Sequence, residues 1–205
     1  MYRPIFLLFL MSVCSAIQVH SQDDSAALQQ IRAFQTELNK EYKDKQTSPL
    51  EPKDLKKFSG HDFFPIDLSY RVRSTLARAA DSAFFDMKTT TGNTQRYRIY
   101  AWATFDLAGM SFKLPVYQSQ SLMRTREYAD YLFFPFTDLT NGTETYGGGR
   151  FIELSIPKTG NELVIDFNMA YNPYCAYSHR YSCPVVPQVN HVDTEVRAGV
   201  KFQNK

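Results

Sequence analysis

The chain has no excess of charge of one sign, no apolar run of membrane-spanning length and few histidines, and each shortage closes a class of function. Of 23 basic and 21 acidic side chains, only Arg3 falls within residues 1–21, which leaves 22 basic and 21 acidic groups after that point. So even a balance gives no electrostatic reason to expect a nucleic acid or an anionic membrane surface as partner. The apolar stretch from Ile5 to Val13 is shorter than the roughly 20 residues that a membrane-spanning helix needs. The four histidines, His20, His61, His179 and His191, lack the close spacings of zinc ligands, so no metal and no other cofactor is expected. There is also no repeat of fixed period and no low-complexity linker, so one folded domain is expected.

What the beginning of the chain does have is the pattern of a secretory signal: a basic Arg3, the apolar core Ile5 to Val13, then small and polar residues near Ser21-Gln22. The reading divides the chain into a signal peptide, 1–21, and a single β-rich domain, 22–205, secreted or periplasmic, with no transmembrane segment once the signal is removed. Cys14 follows Val13, which is bulkier than the residue a lipoprotein signal places before its acylated cysteine, so a soluble protein is expected rather than a lipid-anchored one. Two of the three cysteines remain, Cys175 and Cys183. In an oxidising compartment their close spacing reads as a disulfide, which on chain-entropy grounds stabilises the fold by about 2.5 kcal/mol.

Hydrophobic periodicity supplies the architecture. From Asp24 to Lys45, Leu28, Ile31, Phe34, Leu38 and Tyr42 recur at helical spacing, with Asp23 or Asp24 available as N-cap, and the stripe is expected to pack on the outside of a sheet. A short helical turn is expected from Pro52, ending by Gly60. The period then changes to two. Arg96 to Leu107 reads as a long half-buried strand, turned by Ala108-Gly109 into a partner running from Phe112 to Ser119. Tyr131 to Thr137 is apolar on both faces and runs toward Asn141-Gly142, a hairpin signal. Pro135 within it predicts a bulge or an edge position. Arg150 to Ile156 and Glu162 to Asn168 read as consecutive antiparallel strands. The expected fold is mainly β, an antiparallel sandwich or partly closed barrel with an N-terminal amphipathic helix.

Polar residues crowd into Tyr131 to Asn190. Gly147-Gly148-Gly149 precedes a strand rather than a helix and lacks the lysine of a phosphate loop, so it reads as a turn or bulge. Arg150 must meet an acidic partner or a ligand; Asp166 is the nearest expectation if the two strands pair, with Asp138 and Glu144 as alternatives. Those three acids could also supply the two carboxylates of a glycosidase-like hydrolase. Tyr171, Tyr174, Tyr177 and Tyr181 surround the cysteine loop; if Asn172 caps a helix begun at Pro173, the last three share a face that either stacks on a flat ligand or packs the loop onto the sheet. Asn168 and Asn172 are expected to satisfy buried backbone groups or to orient a ligand. His179 lies four residues after Cys175, a spacing open to nucleophilic catalysis only while Cys175 is unbonded.

Read together, TYGGGRF (Thr145 to Phe151), DFNMAYNPYCAYS (Asp166 to Ser178), CPVVPQVN (Cys183 to Asn190) and AGVK (Ala198 to Lys201) resemble the bacterial domain-of-unknown-function family 1684. Weaker echoes stand at Ser48-Pro49-Leu50, Phe64-Pro65 and Tyr70-Arg71-Val72. This chain departs from the family pattern at Val186, Val189 and Val200, where Pro, Glu and Glu are usual, so the resemblance implies no role for carboxylates at the last two positions. It implies no activity either. The residues themselves point first to a module that binds a small polar or anionic molecule through Arg150, Tyr146, Asp166, Asn168, Tyr171 and Asn172. A hydrolase using two of Asp138, Glu144 and Asp166 is the second reading, and an envelope protein without a ligand the third.

Overall fold

The computed structural model describes residues 7–202, with side chains described from Asp23 onward, so the signal-peptide and Cys14 readings lie outside the residues described in full. Helix α1 (Leu7–Lys43) leads into the short α2 (Pro52–Leu55), where Pro52 sits in the first turn as expected. Eight strands follow: β1 (Arg71–Arg78), β2 (Phe85–Lys88), β3 (Thr94–Leu107), β4 (Met110–Ser119), β5 (Tyr131–Asp138), β6 (Arg150–Ser155), β7 (Glu162–Asp166) and β8 (His191–Val192). They form one mainly antiparallel sheet ordered β6-β5-β4-β3-β1-β7, with β2 beside β3 and β8 beside β5. The sheet curls into a nearly closed barrel. Phe151 of β6 exchanges backbone hydrogen bonds of 2.9 and 3.0 Å with Tyr171, just beyond β7, across the gap that remains. No described helix is long and apolar enough to cross a membrane.

Strand alternation sorts the aromatic residues into two layers. In β5, Leu132, Phe134 and Phe136 point inward to join Phe105, Ile165 and Phe167, while Phe133 points outward to join Tyr97, Tyr117 and Phe151. This is why Tyr131 to Thr137 reads as apolar on both faces: its outer face is covered too. The cover is the segment 171–186, whose Tyr171, Tyr174, Cys175, Tyr181 and Val186 pack on that layer, while α1 buries Ala27, Ile31, Leu38 and Tyr42, in part against the turns Leu68–Tyr70 and Phe167–Met169. Each such large side chain stabilises the packing by about 1.5–3 kcal/mol. No cap is made at Asp23 or Asp24, because the helix continues back to Leu7 through the apolar stretch.

Several expectations are corrected. β6 and β7 are not paired with each other; β7 pairs β1, with Arg71 opposite Asp166, so Asp166 is carried away from Arg150. β5 and β6 do pair antiparallel across the loop that holds Asn141-Gly142, but not through a two-residue turn. Instead Asn141 accepts from the Asp138 N–H at 2.6 Å and donates to Thr145 Oγ1 and the Tyr146 carbonyl, building a longer loop before β6. Pro135 lies in an interior strand, between β4 and β6, rather than at an edge. The β4–β5 ladder is correspondingly reduced to one pair, Tyr117 and Phe133. With Pro115 in β4 and Pro135 in β5 the seam lacks two donors, and Asn190 fills it, donating to the Pro115 carbonyl at 3.0 Å and accepting from the Tyr117 hydroxyl at 2.7 Å.

Candidate functional site

Arg150 enters β6 from the glycine turn. Gly149 has φ +88°, and a Cβ there would lie 2.6 Å from the Phe136 carbonyl oxygen, so the close approach to β5 demands glycine. The arginine is 0% exposed. Its Nη2 donates to Asp138 Oδ2 at 2.8 Å and to the Val196 carbonyl at 2.7 Å, and its Nη1 donates to the Ala198 carbonyl. Asp138 accepts further bonds from the Thr140 N–H and hydroxyl and from the Val196 N–H. Burial pulls the Arg150 pKa down and Asp138 opposes the pull. The pair fastens the segment Val196–Ala198 against the barrel, and no nitrogen of the guanidinium faces solvent.

The other residues named from sequence divide among separate places. Asp166 accepts from Arg71 at 2.9 Å and from the Asn168 N–H at 3.0 Å, while Asn168 bonds both the N–H and the carbonyl of Asp67. Glu144 pairs with Arg197 at 2.9 Å on the surface. Asn172 is not a helix cap: only a three-residue 3-10 turn follows, Tyr174–Ala176, without a side-chain cap. Asn172 donates instead to the Tyr177 hydroxyl and the Lys201 carbonyl. Tyr146 packs edge-on against Phe202 at 5.3 Å. Arg150, Tyr146, Asp166, Asn168, Tyr171 and Asn172 therefore do not converge on one cavity, and of the six only Tyr171 lines the pocket described next.

That pocket, of about 290 Å³, lies between α1 and the outer face of the sheet. Phe34, Leu38 and Glu41 come from α1; Tyr97 comes from β3, Tyr131 and Phe133 from β5, and Phe151 and Glu153 from β6. Tyr171, Pro173, Tyr174, Cys183 and Pro184 complete the wall. The rings brace one another, Phe133 on Phe151 at 4.8 Å and Phe151 on Tyr171 at 6.1 Å, both edge-on. The Tyr171 hydroxyl donates to Glu153 Oε1 at 3.0 Å, and the Tyr174 hydroxyl donates to Glu41. Burial, and then these carboxylates, raise both phenol pKa values, and burial pushes Tyr97 up to about 12, so the hydroxyls stay protonated as donors. Among the described residues, no lysine or arginine lines the cavity.

Beside it, Cys175 and Cys183 stand adjacent as thiols, the Cys175 N–H meeting Cys183 Sγ at 3.2 Å. The hydrogen bond between the two thiols, with help from Thr90 and Tyr146, lowers Cys175 to about 6.

Sequence reasoning passed over Glu41, Glu153, Tyr97, Tyr131, Phe133 and Phe151. A signal for Tyr131, Phe133, Phe151 and Glu153 existed in the outward-facing positions of β5 and β6, where large aromatic residues and one glutamate share a face.

The sequence model of the family described as "Protein of unknown function (DUF1684)" matches residues 56–201, leaving the Ser48-Pro49-Leu50 echo outside the match. The fold is similar to the solution NMR structure of an uncharacterised protein from Haloarcula marismortui, at 33% identity and a TM-score of 0.70 over 88% of this chain and 97% of that one. No curated protein matches the chain. Of the valines that depart from the family pattern, Val200 is buried beside Leu38, Tyr42 and Leu50, whereas Val189 is half exposed.

Proposed function

The chain belongs to the DUF1684 family, and with no activity attached to that family we propose, from this chain's own geometry, that it binds a small polar molecule in the cavity between α1 and the sheet. The observation that carries the reading is a concave aromatic wall with polar groups converging on it: the hydroxyls of Tyr171 and Tyr174 and the carboxylates of Glu41 and Glu153. Such a combination, mostly apolar with a few placed polar groups, is what small-molecule sites share. Binding therefore moves from the Arg150 neighbourhood to the pocket around Tyr171. An anionic ligand is disfavoured, because it would meet two carboxylates and no cation.

The hydrolase reading loses its support. Asp138 is paired inside the barrel, Asp166 is paired with Arg71, and Glu144 is paired with Arg197 elsewhere on the surface. The ligand-free structural reading draws support from Arg150 and Asp166, both internally paired, but not from the cavity beside α1. A secreted or periplasmic location is part of the proposal, supported by the Arg3 to Ser21 pattern alone. So is a disulfide, supported by the adjacency of Cys175 and Cys183.

Thermal unfolding against a library of uncharged, cationic and anionic small molecules tests the proposal. A ligand at 100 times its Kd adds about 2.7 kcal/mol, which moves the midpoint by roughly 5–10 °C for a domain of this size. A hit abolished by Leu38→Trp, which fills the cavity, supports the reading. Hits unaffected by that change contradict it.

A further inference from the structure

We infer that the cavity takes an organic ammonium ion, its positive centre held between the carboxylates of Glu41 and Glu153 and against the aromatic wall; the inference rests on the cavity being the binding site. The first ground is charge. Two carboxylates line the pocket without a basic residue on its wall, and among the described residues neither has an ion-pair partner. The two buried aspartates of the fold, by contrast, each have one: Asp138 has Arg150 and Asp166 has Arg71.

The second ground is what each class of occupant would do to those carboxylates. A neutral molecule filling the cavity would strip water from both and return no countercharge, which is costly. An anion would add repulsion. An ammonium ion offers N–H donors or a diffuse positive charge. Because each tyrosine bond to Glu153 and Glu41 uses only Oε1, each carboxylate keeps an acceptor for it.

The third ground is the wall itself. Tyr97, Tyr131, Phe133, Phe151, Tyr171 and Tyr174 line the site, and aromatic rings attract a cation, the more strongly when it is desolvated. An inorganic cation fits less well. Hard ions take six or more oxygen ligands, and the described residues hold no grouping of three acidic, histidine or cysteine side chains placed to share one.

The discriminating experiment is isothermal calorimetry on the full chain with charged and uncharged molecules of matched shape. Choline is compared with its carbon isostere dimethylbutanol, and phenethylammonium with phenylethanol and phenylpropionate. Each is titrated into the native protein, Glu41→Gln and Glu153→Gln. At least one ammonium ion should bind about tenfold or more tighter than its neutral isostere. That preference should shrink in both glutamine variants and weaken as salt is raised.

If phenylethanol or dimethylbutanol binds as tightly as the ammonium ion, or if the glutamine variants bind it unchanged, the cation assignment is overturned while the cavity remains a binding site. If phenylpropionate binds best, the assignment is overturned in sign. If none of these molecules binds and the uncharged library also gives no shift, the binding reading falls together with the inference. Unfolding midpoints of the two variants, expected within a degree or two of the native protein because both glutamates reach the surface, keep a folding defect from imitating lost binding.

Discussion

Replacing Arg150 with alanine should unfold the domain far more readily than any surface charge change, and the size of the effect follows from its three hydrogen bonds. The substitution leaves the Asp138 carboxylate, on a side chain 0% exposed, without its cation and leaves the Val196 and Ala198 carbonyls without these donors. Breaking one side of a buried pair costs about 3–5 kcal/mol. Stranding buried carbonyls adds roughly 1 kcal/mol or more. A total near 5 kcal/mol lowers the midpoint by about 10–20 °C on the scale for domains of 150–250 residues.

Urea and thermal unfolding of the native protein, Arg150→Ala and Arg197→Ala measure this directly. Arg197 meets Glu144 and Glu195 at 2.9 and 2.8 Å but is half exposed and screened by solvent, so its loss should change stability little. The double variant Arg150→Met/Asp138→Leu should recover part of the loss, since it removes the orphaned charge as well. A single-variant loss no larger than that of Arg197→Ala would refute the claim that this pair fastens the C-terminal segment to the barrel.

Other outcomes follow from the same structure. His61, ringed by Tyr42, Phe58, Phe63 and Tyr177 with Asn39 on Nδ1 at 2.9 Å, is lowered from 6.5 to about 4 by burial. The unfolded chain therefore binds this proton more readily, and stability should fall by up to about 3 kcal/mol as pH drops from 6.5 toward 4. Urea unfolding across that range should show a shallower acid limb in His61→Phe. Gly199→Ala, at φ +77° with a Cβ placed 2.5 Å from the Ala170 carbonyl oxygen, should cost clearly more than Gly160→Ala. Gly160 stands at φ +69° in open space, where the backbone penalty alone is about 1 kcal/mol, and chemical denaturation separates the two. In the reduced protein, iodoacetamide should alkylate Cys175 with a midpoint near pH 6, and an ordinary thiol midpoint would contradict the lowered value.

The β pattern was legible because alternation is a local signal. The Arg96 to Leu107 strand and its hairpin partner appear within two residues of their expected limits. Strand partnership was not legible. That β7 crosses to β1 depends on closure of the barrel, so the partner of Arg150 could not be told from its neighbours in sequence. The candidate site suffered most from this, because Glu41 and Glu153 are 112 positions apart and line one cavity only once α1 has folded back against the barrel. Polar residues that stood out as a cluster, Asp138, Arg150, Asp166 and Asn168, are there because a barrel closed by irregular segments must satisfy many buried backbone groups.

The central claim, that the cavity under α1 is where this protein meets its ligand, is tested most directly by mapping amide chemical shifts while a stabilising molecule from the library is titrated in. Shifts should concentrate at Leu38, Glu41, Tyr97, Phe133, Phe151, Glu153, Tyr171 and Tyr174. Shifts centred instead on Arg150, Asp166 and Asn168, or spread without a focus, would contradict the account.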